Sequence, residues 1–474
     1  MFSLRIFTTI EACLTRGRDG AARLAPEKLF LWFASLGGLA LLALIPPLAG
    51  GNETFNFQRT ASIAAFHPLI EPAQTPLGVA TLLDAAHGQF PTGGEPPYHY
   101  AFTGFRELAA IPLGDGVTAT LIPNAITVLH PVAYIPQVAA FWLGQALGLS
   151  PLALFYLGRI AGLGGAIGLT FLAIRLIPVH KWSLCALALL PTILFTRTTL
   201  DADQVTNAAT FLFSAATLRA AMGAGRLGAG AIAALAALAF VTAQCKTAYF
   251  PLTLLALAVP VARYGSRRRW ALGSLAIVAP GMAASLAWMI ALKMTFFAGL
   301  KYRTWAGLAF PDAQTALILA HPLDFAMVLA RTLFATPLLA TAALGVLGVF
   351  GPPVNLPLID YLLLALTLSA VLLGEGADHA PPAGATLRRL ATGIFLVVFL
   401  LLLTLIYIQW TGVGDEIVQG FSGRYLIPLL PPLLLLLPRA RGLVLRLDTP
   451  VWTALLGALS LVFTLWTTWT TYWA

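Results

Sequence analysis

Residues 183–218, SLCALALLPTILFTRTTLDADQVTNAATFLFSAATL, place two aspartates among a few polar residues between two apolar segments. Asp201 and Asp203 closely follow Arg197, and carboxylates this near to hydrocarbon are costly unless they are paired or used. Such a cluster at a membrane boundary predicts an active site. Aspartate also favours the N-cap of a helix, and this interpretation competes for one of the pair.

The composition of the whole chain indicates its class. Of the 474 residues, 59% are hydrophobic and 10% are charged, and the mean hydropathy is +0.85. Together with many apolar runs of about 20 residues, these values predict an all-α protein that crosses a membrane several times. The three cysteines have no disulfide or metal-site spacing, and the chain carries no nucleotide-binding motif.

The N-terminal residues 1–28 are polar and basic, so the first apolar run begins too late for a cleavable signal peptide. We expect this run to remain as a transmembrane helix and residues 29–474 to form one transmembrane domain. The net charge of +9 indicates basic loops that face an anionic membrane surface. The sequence shows no basic groove with interleaved aromatic residues, which is the pattern that would indicate nucleic-acid binding.

Basic connections set the predicted topology, because Lys and Arg are enriched in cytoplasmic loops. If the N-terminus and every basic connection, including Arg439, Arg441 and Arg446, are cytoplasmic, the chain crosses about eleven times and ends outside. The predicted crossings are 29–49, 151–176, 181–198, 204–222, 227–244, 248–263, 270–296, 354–374, 390–410, 424–438 and 451–472.

Two further apolar segments, 131–147 and 324–349, do not fit this alternation as simple crossings. We interpret both as interfacial or re-entrant helices, and the count rises to thirteen if both cross. The loop 51–150 and the segment 297–353 then lie outside, with twelve of the 19 acidic residues. Any chemistry is therefore expected on the periplasmic face of a bacterial inner membrane.

The first external cluster contains Glu53, Asn56 and Arg59, which are spaced three residues apart, so one helical face carries all three. A carboxylate held at a membrane surface is a reasonable general base. We predict Glu53 as the first choice of base and Asp203 as the second. The alternative is a helix-start motif with a Glu–Arg pair.

Two later clusters offer cations. Lys246 and Tyr249 lie between two apolar helices, where the lysine can hold a phosphate as a point charge or snorkel at a helix end. Arg424 begins an apolar helix after a GFSG turn, although arginine at a helix start opposes the helix dipole. A guanidinium beside free N–H groups suits a phosphate or pyrophosphate; the alternative is pairing with Asp415 or Glu416.

These clusters, in this order, resemble the DUF2142 family of polytopic bacterial membrane proteins, which is grouped with the GT-C glycosyltransferases. The resemblance runs from about residue 50 to the final helices. The matching blocks are NETFNFQR at 52–59, HPVAYIPQV at 130–138, GLSP at 148–151, GR at 158–159, Asp203, the Lys246/Tyr249 pair and GRYLIP at 423–428, the most specific of all.

The chain departs from the family pattern in the first loop. That pattern is roughly DExxHFxR, and its Asp and His are Asn52 and Asn56 here. A mechanism that needs an acid pair or a histidine at this point loses its support, so Glu53 would carry more of the role.

The resemblance implies a GT-C-like transferase embedded in membrane lipids. It would move a sugar from a polyprenyl-phosphate donor to a hydroxyl of a lipid-linked glycan or cell-envelope polymer, with Glu53 or Asp203 as base. Such a donor needs no nucleotide-binding domain, and the resemblance leaves open whether a divalent metal ion assists. The residues implied in binding the donor phosphate or substrate are Arg424, Tyr425, Lys246, Tyr249, Arg59, Asn56 and Arg159.

Two other functions use the same features. A transporter or flippase for a lipid-linked sugar needs the groove and the cations but no base, and inverted repeats would favour it. A non-catalytic scaffold for envelope assembly would tolerate Asn52 and Asn56. The bias of acidic residues toward one face favours the transferase.

Overall fold

Helices form nearly all the regular structure of the chain. The computed structural model describes residues 25–67, 74–90, 96–114, 117–119, 129–295, 297–304, 306–351, 354–376, 384–437 and 448–474. Most of the basic N-terminal segment (1–24) and the basic connection at Arg439, Arg441 and Arg446 lie outside these residues.

The α-helices in the first half are α1 (Pro26–Leu44), α2 (Glu53–Ala64), α3 (Leu77–Gln89), α4 (Thr103–Ala109), α5 (Ile135–Ala146), α6 (Pro151–Leu176), α7 (Lys181–Ala188), α8 (Pro191–Thr198), α9 (Asp203–Met222) and α10 (Ala229–Cys245). Those in the second half are α11 (Val261–Tyr264), α12 (Arg267–Met294), α13 (Pro311–Ala320), α14 (Pro322–Ala335), α15 (Leu338–Leu347), α16 (Leu358–Gly376), α17 (Ala385–Gln409), α18 (Leu430–Leu433) and α19 (Thr449–Tyr472). The 3₁₀ helices are Pro131–Tyr134, Thr247–Ala258, Gly423–Leu429 and Leu434–Leu436.

Six helices in the described residues are long and apolar enough to cross a membrane, which makes the chain an all-α membrane protein. They are α1, α6, α12, α16, α17 and α19. A seventh span arises if α13 and α14, which are bent by 107° relative to each other, count as one.

Four of the other five predicted crossings coincide with shorter or broken helices, whereas 204–222 coincides with the unbroken 20-residue α9. The predicted helix 181–198 is two eight-residue helices, because Pro191 disfavours helical geometry in the residue before it and begins α8. The predicted helix 248–263 is a 3₁₀ helix that contains Pro251 and is followed by the short α11. Such breaks leave backbone groups and polar side chains inside the bundle.

The two ambiguous segments also form short helices. In the segment 131–147, α5 has 12 residues, about 18 Å at a rise of ~1.5 Å per residue, which is too short for a hydrocarbon core of ~30 Å. The segment 324–349 is divided between α14 and α15 by a break at Thr336 and Pro337.

Helix α6 illustrates why the long helices form where they do. Ser150 accepts a hydrogen bond from the Ala153 N–H as its N-cap, and Pro151 occupies the first turn, where no N–H is needed. Gly162 lets α9 approach closely, since a Cβ there would lie 1.9 Å from Gln204 Oε1. Small residues bring membrane helices together in this way.

Three pairs of short antiparallel strands accompany the helices in the described residues. They are β1 (Gln74–Pro76) with β2 (Val117–Ala119), β3 (Tyr302–Thr304) with β4 (Gly307–Ala309), and β5 (Val349–Gly351) with β6 (Val354–Asn355). Buried apolar side chains between Leu29 and Trp473 form one main core, and Val328, Leu338, Leu403, Tyr407 and Val418 form a smaller cluster.

Candidate functional site

The acid pair lies where α8 ends and α9 begins. Asp203 is the first residue of α9, and its backbone N–H donates to Asp201 Oδ1 at 2.9 Å. Asp201 therefore has the helix-capping role considered for one of the pair, although by backbone geometry the N-cap residue is Ala202. Both carboxylates are nevertheless part of the same site.

Two cations converge on the side chain of Asp203. Lys246, directly after α10, donates from Nζ to Asp203 Oδ1. Arg424 Nε lies 4.0 Å from Asp203 Oδ2, too far for a hydrogen bond, and has no hydrogen-bond partner in the described part of the chain. Arg424 is therefore a largely buried cation with unused donor capacity.

Two tyrosines connect these cations. The Tyr425 ring centre lies 5.2 Å from Lys246 Nζ and 5.5 Å from Arg424 Cζ, so both cations interact with the ring. The Tyr249 hydroxyl donates to the Tyr425 carbonyl at 2.8 Å. The two predicted pairs, Lys246/Tyr249 and Arg424/Tyr425, thus form one cluster.

A small, narrow cleft lies beside this cluster. Asp201 and Arg424 line it, with Asn52 from the loop before α2 and the hydroxyl residues Thr196 and Thr199. The cleft brings an acid, a cation and a loop backbone to one small space.

A second small pocket adjoins α9. Asp203, Gln204 and Asn207 of α9 line it together with Thr170, and it shares Thr196 with the cleft. The acid pair thus borders two polar spaces.

Asp201 lies in the loop ahead of α9, outside the membrane helices. Burial, and next the neighbouring carboxylate of Asp203, raise the pKa of Asp201 to about 6, although Arg424 and Lys246 oppose the rise. A carboxylate that titrates near neutrality and faces a cleft can exchange a proton with a bound hydroxyl.

Glu53 has a different environment from the one expected of a base. Its carboxylate is fully buried and accepts both Nε and Nη2 of Arg159, at 2.7 and 2.6 Å, and the backbone N–H groups of Gly50 and Leu200, at 3.0 and 2.7 Å. Four donors engage its two oxygens, so Glu53 is a structural anchor here. The geometry gives no support to Glu53 as the base.

Arg159 is engaged just as fully. Besides Glu53, it donates to the carbonyls of Ile45 and Pro46 at 2.8 and 2.9 Å, and its side chain is fully buried. It therefore joins α6 to the end of α1 and the first loop. The N–H groups that make these bonds are not free to bind a ligand. The expected contact of Arg159 with a donor phosphate finds no support in this arrangement.

The other first-loop residues also hold the scaffold. Asn56 Oδ1 accepts from the Tyr134 hydroxyl at 2.6 Å and from the Ala202 N–H at 3.4 Å. Arg59 donates from Nε and Nη2 to the Leu129 carbonyl at 3.1 and 3.0 Å. Since Ala202 lies between the two aspartates, Asn56 positions the acid loop.

The structure thus brings together five of the predicted site residues: Asp203, Lys246, Tyr249, Arg424 and Tyr425. Asp201, which was not among the predicted catalytic or binding residues, also lines the cleft, and its adjacency to Asp203 is the signal for it. Among the described residues, no group of three or more His, Cys, Asp or Glu side chains could hold a metal ion.

Comparison with known proteins adds one finding. A sequence model of the family DUF2142, described as a predicted membrane protein, matches residues 36–433. No curated protein and no solved structure matches the chain.

The Glu53 anchor makes a prediction about stability. Glu53→Gln leaves the buried Arg159 charge uncompensated, so we expect it to lower the free energy of unfolding by about 3–5 kcal/mol. Thermal unfolding of the purified protein in detergent measures this.

The matched control is Glu416→Gln, the same change in an exposed ion pair, expected to cost at most about 1 kcal/mol. An unchanged unfolding temperature in Glu53→Gln would contradict the anchor role and restore Glu53 as a candidate base.

Proposed function

The chain belongs to DUF2142, a family of predicted membrane proteins, and on that premise we propose that it is a membrane glycosyltransferase of the GT-C type. Its donor is a sugar linked to a polyprenyl phosphate, and its acceptor is a hydroxyl of a lipid-linked glycan or cell-envelope polymer. The observation that carries the proposal is the convergence of Lys246 and Arg424 beside Asp201 and Asp203, in a chain whose long apolar helices can cross a membrane.

The charges of this cluster suit a phosphate. Lys246 offsets Asp203, while Arg424 keeps a buried Nε without a hydrogen-bond partner in the described residues. A donor phosphate in the cleft would complete the coordination of Arg424, and charge-assisted hydrogen bonds of this kind are among the strongest in proteins. The leaving phosphate gains negative charge in the transition state, where fixed cations stabilise it.

The reaction is a single displacement at the anomeric carbon. The acceptor oxygen bonds to that carbon as the bond from carbon to the phosphate oxygen breaks, and the electron pair leaves with the polyprenyl phosphate. The acceptor proton passes to a carboxylate. We assign this role to Asp201 in place of Glu53, because Asp201 lines the cleft with Arg424 and titrates near neutrality.

The surroundings of the site follow from the same proposal. The site lies on the periplasmic face of the inner membrane, as the distribution of basic loops predicts, in a bundle of about eleven crossings. The prenyl chain lies in lipid or in an apolar groove between helices, so no nucleotide-binding domain is required.

Lipid analysis separates the transferase from a flippase. Mass spectrometry of lipids that co-purify with the protein should detect a polyprenyl phosphate or its sugar-linked form. Incubation with an acceptor glycan should release free polyprenyl phosphate. Movement of intact lipid-linked sugar across a vesicle membrane, without cleavage, would instead establish the flippase.

Arg424→Ala is expected to weaken donor binding. Loss of a hydrogen bond to a charged group costs about 1.5–3 kcal/mol, which is roughly a 10- to 150-fold rise in Kd for a polyprenyl phosphate, measured in nanodiscs. Arg388→Ala, a change at an exposed residue of α17, is the control. Equal Kd values for the two variants would remove Arg424 from the phosphate site.

Asp201→Asn tests the base. A base acts when it is deprotonated, so kcat/KM of the wild-type protein should fall as the pH is lowered through about 6 and level off above it. Asp201→Asn should be nearly inactive at every pH, whereas Asp324→Asn, at a largely exposed side chain, should keep the wild-type profile. Wild-type activity in Asp201→Asn would show that Asp201 is not the base.

A fourth test concerns metal ions. Lys246 already forms an ion pair with Asp203. We therefore expect Lys246 and Arg424 to neutralise the donor phosphate, and binding of polyprenyl phosphate to persist in EDTA. Lys246→Met should weaken that binding about tenfold or more. Loss of binding in EDTA, with recovery on adding Mg²⁺ or Mn²⁺, would show that a metal ion is required.

A further inference from the structure

The residue before Arg424 is in direct backbone contact with another helix. A Cβ on Gly423 would lie 2.1 Å from the Ala342 carbonyl oxygen, and a Cβ on Gly345 would lie 2.6 Å from the N and Cα atoms of Gly423. Helix α15 therefore touches the 3₁₀ helix that carries Arg424 through two glycines, and no side chain fits between them.

The rest of the structure fixes α15 and Tyr425 from two sides. Thr192 of α8 donates from its hydroxyl to the Gly345 carbonyl at 3.0 Å, which holds α15 against the bundle. On the other side, the Tyr249 hydroxyl binds the Tyr425 carbonyl. The backbone at Arg424 is thus held between α15 and the 3₁₀ helix that follows Lys246.

We propose that α15 is a positioning element of the phosphate site, and that the contact between Gly345 and Gly423 sets the place of the Arg424 guanidinium beside Asp203. The ligand named here, the phosphate of a polyprenyl phosphate, rests on the proposed function; the positioning of Arg424 does not. Gly345 is a positioning residue, since it touches Gly423 and acts through Arg424.

The size of the effect follows from the distances. Real Cβ atoms essentially never lie closer than 3.0 Å to another atom, ordinary contact begins at 3.4 Å, and the Gly345 Cβ position is 2.6 Å from Gly423, so Gly345→Ala must separate the two backbones by about 0.4–0.8 Å. A displacement of ~1 Å in a binding or reacting group can cost up to ~100-fold in rate. Alanine is a better helix former than glycine, so the helix itself gains by the change.

The first measurement needs no lipid. Phenylglyoxal modifies arginine side chains, and peptide mass spectrometry gives the rate at Arg424 relative to the exposed Arg388 of the same molecule. We expect this ratio to rise severalfold in Gly345→Ala. The control is Gly393→Ala on α17, where nothing lies within 4 Å of the added Cβ, and its ratio should equal that of the wild-type protein.

The second measurement is the Kd of a polyprenyl phosphate in nanodiscs. We expect a rise of about tenfold in Gly345→Ala and none in Gly393→Ala. If Gly345→Ala does not fold, Thr192→Val is measured in its place. This variant removes only the hydroxyl bond to α15, so we expect a smaller increase in the Arg424 modification ratio.

The outcomes separate the two claims. An unchanged Arg424 ratio in Gly345→Ala, or in Thr192→Val where that variant stands in, overturns the positioning role. A wild-type protein that binds no polyprenyl phosphate overturns the proposed function alone, because the modification arm still decides whether α15 positions Arg424.

Discussion

The site depends on the ion pair and the hydrogen bonds that the buried carboxylate of Glu53 makes. Its two oxygens join the loop after α1 through Gly50, helix α6 through Arg159 and the acid loop through Leu200. A buried ion pair stabilises a fold only when its remaining hydrogen-bonding capacity is filled, and here backbone groups fill it. Asn56 adds a second bond to the same acid loop, so α2 fixes the backbone from which the aspartates project.

The neighbouring cluster has the opposite character. Its acids and cations balance in charge, yet Arg424 keeps a buried Nε without a hydrogen-bond partner among the described residues, and Asp201 titrates near neutrality. Incomplete pairing of buried polar groups is costly and is typical of sites that bind or react. The complete anchor, through Leu200, and the incomplete cluster, through Asp201 and Asp203, meet at the acid loop, which explains how a site with unused donors stays ordered.

The sequence predicted those features of the fold that depend on residues close together in the chain. Helix α6 begins and ends at the predicted residues, since Ser150 and Pro151 start it and an uninterrupted apolar run continues it. The break before α8 was missed, although Pro191 was its signal. The partners of Glu53 could not be predicted, because Arg159 lies 106 residues away and nothing local marks their contact. Motif order pointed to Lys246 and Arg424 but could not separate the residues of this cluster from residues that hold the scaffold.

The sequence separation within the Glu53 anchor has a consequence for synthesis in the membrane. At ~5–20 residues per second, the 106 residues between Glu53 and Arg159 take roughly 5–20 s to be made. During that time the carboxylate lacks Arg159, its partner in the folded protein. Insertion of α6 then delivers Arg159, and the Leu200 N–H follows later. The first loop therefore docks only after translation has passed α8, and the site is assembled late in the biogenesis of the bundle.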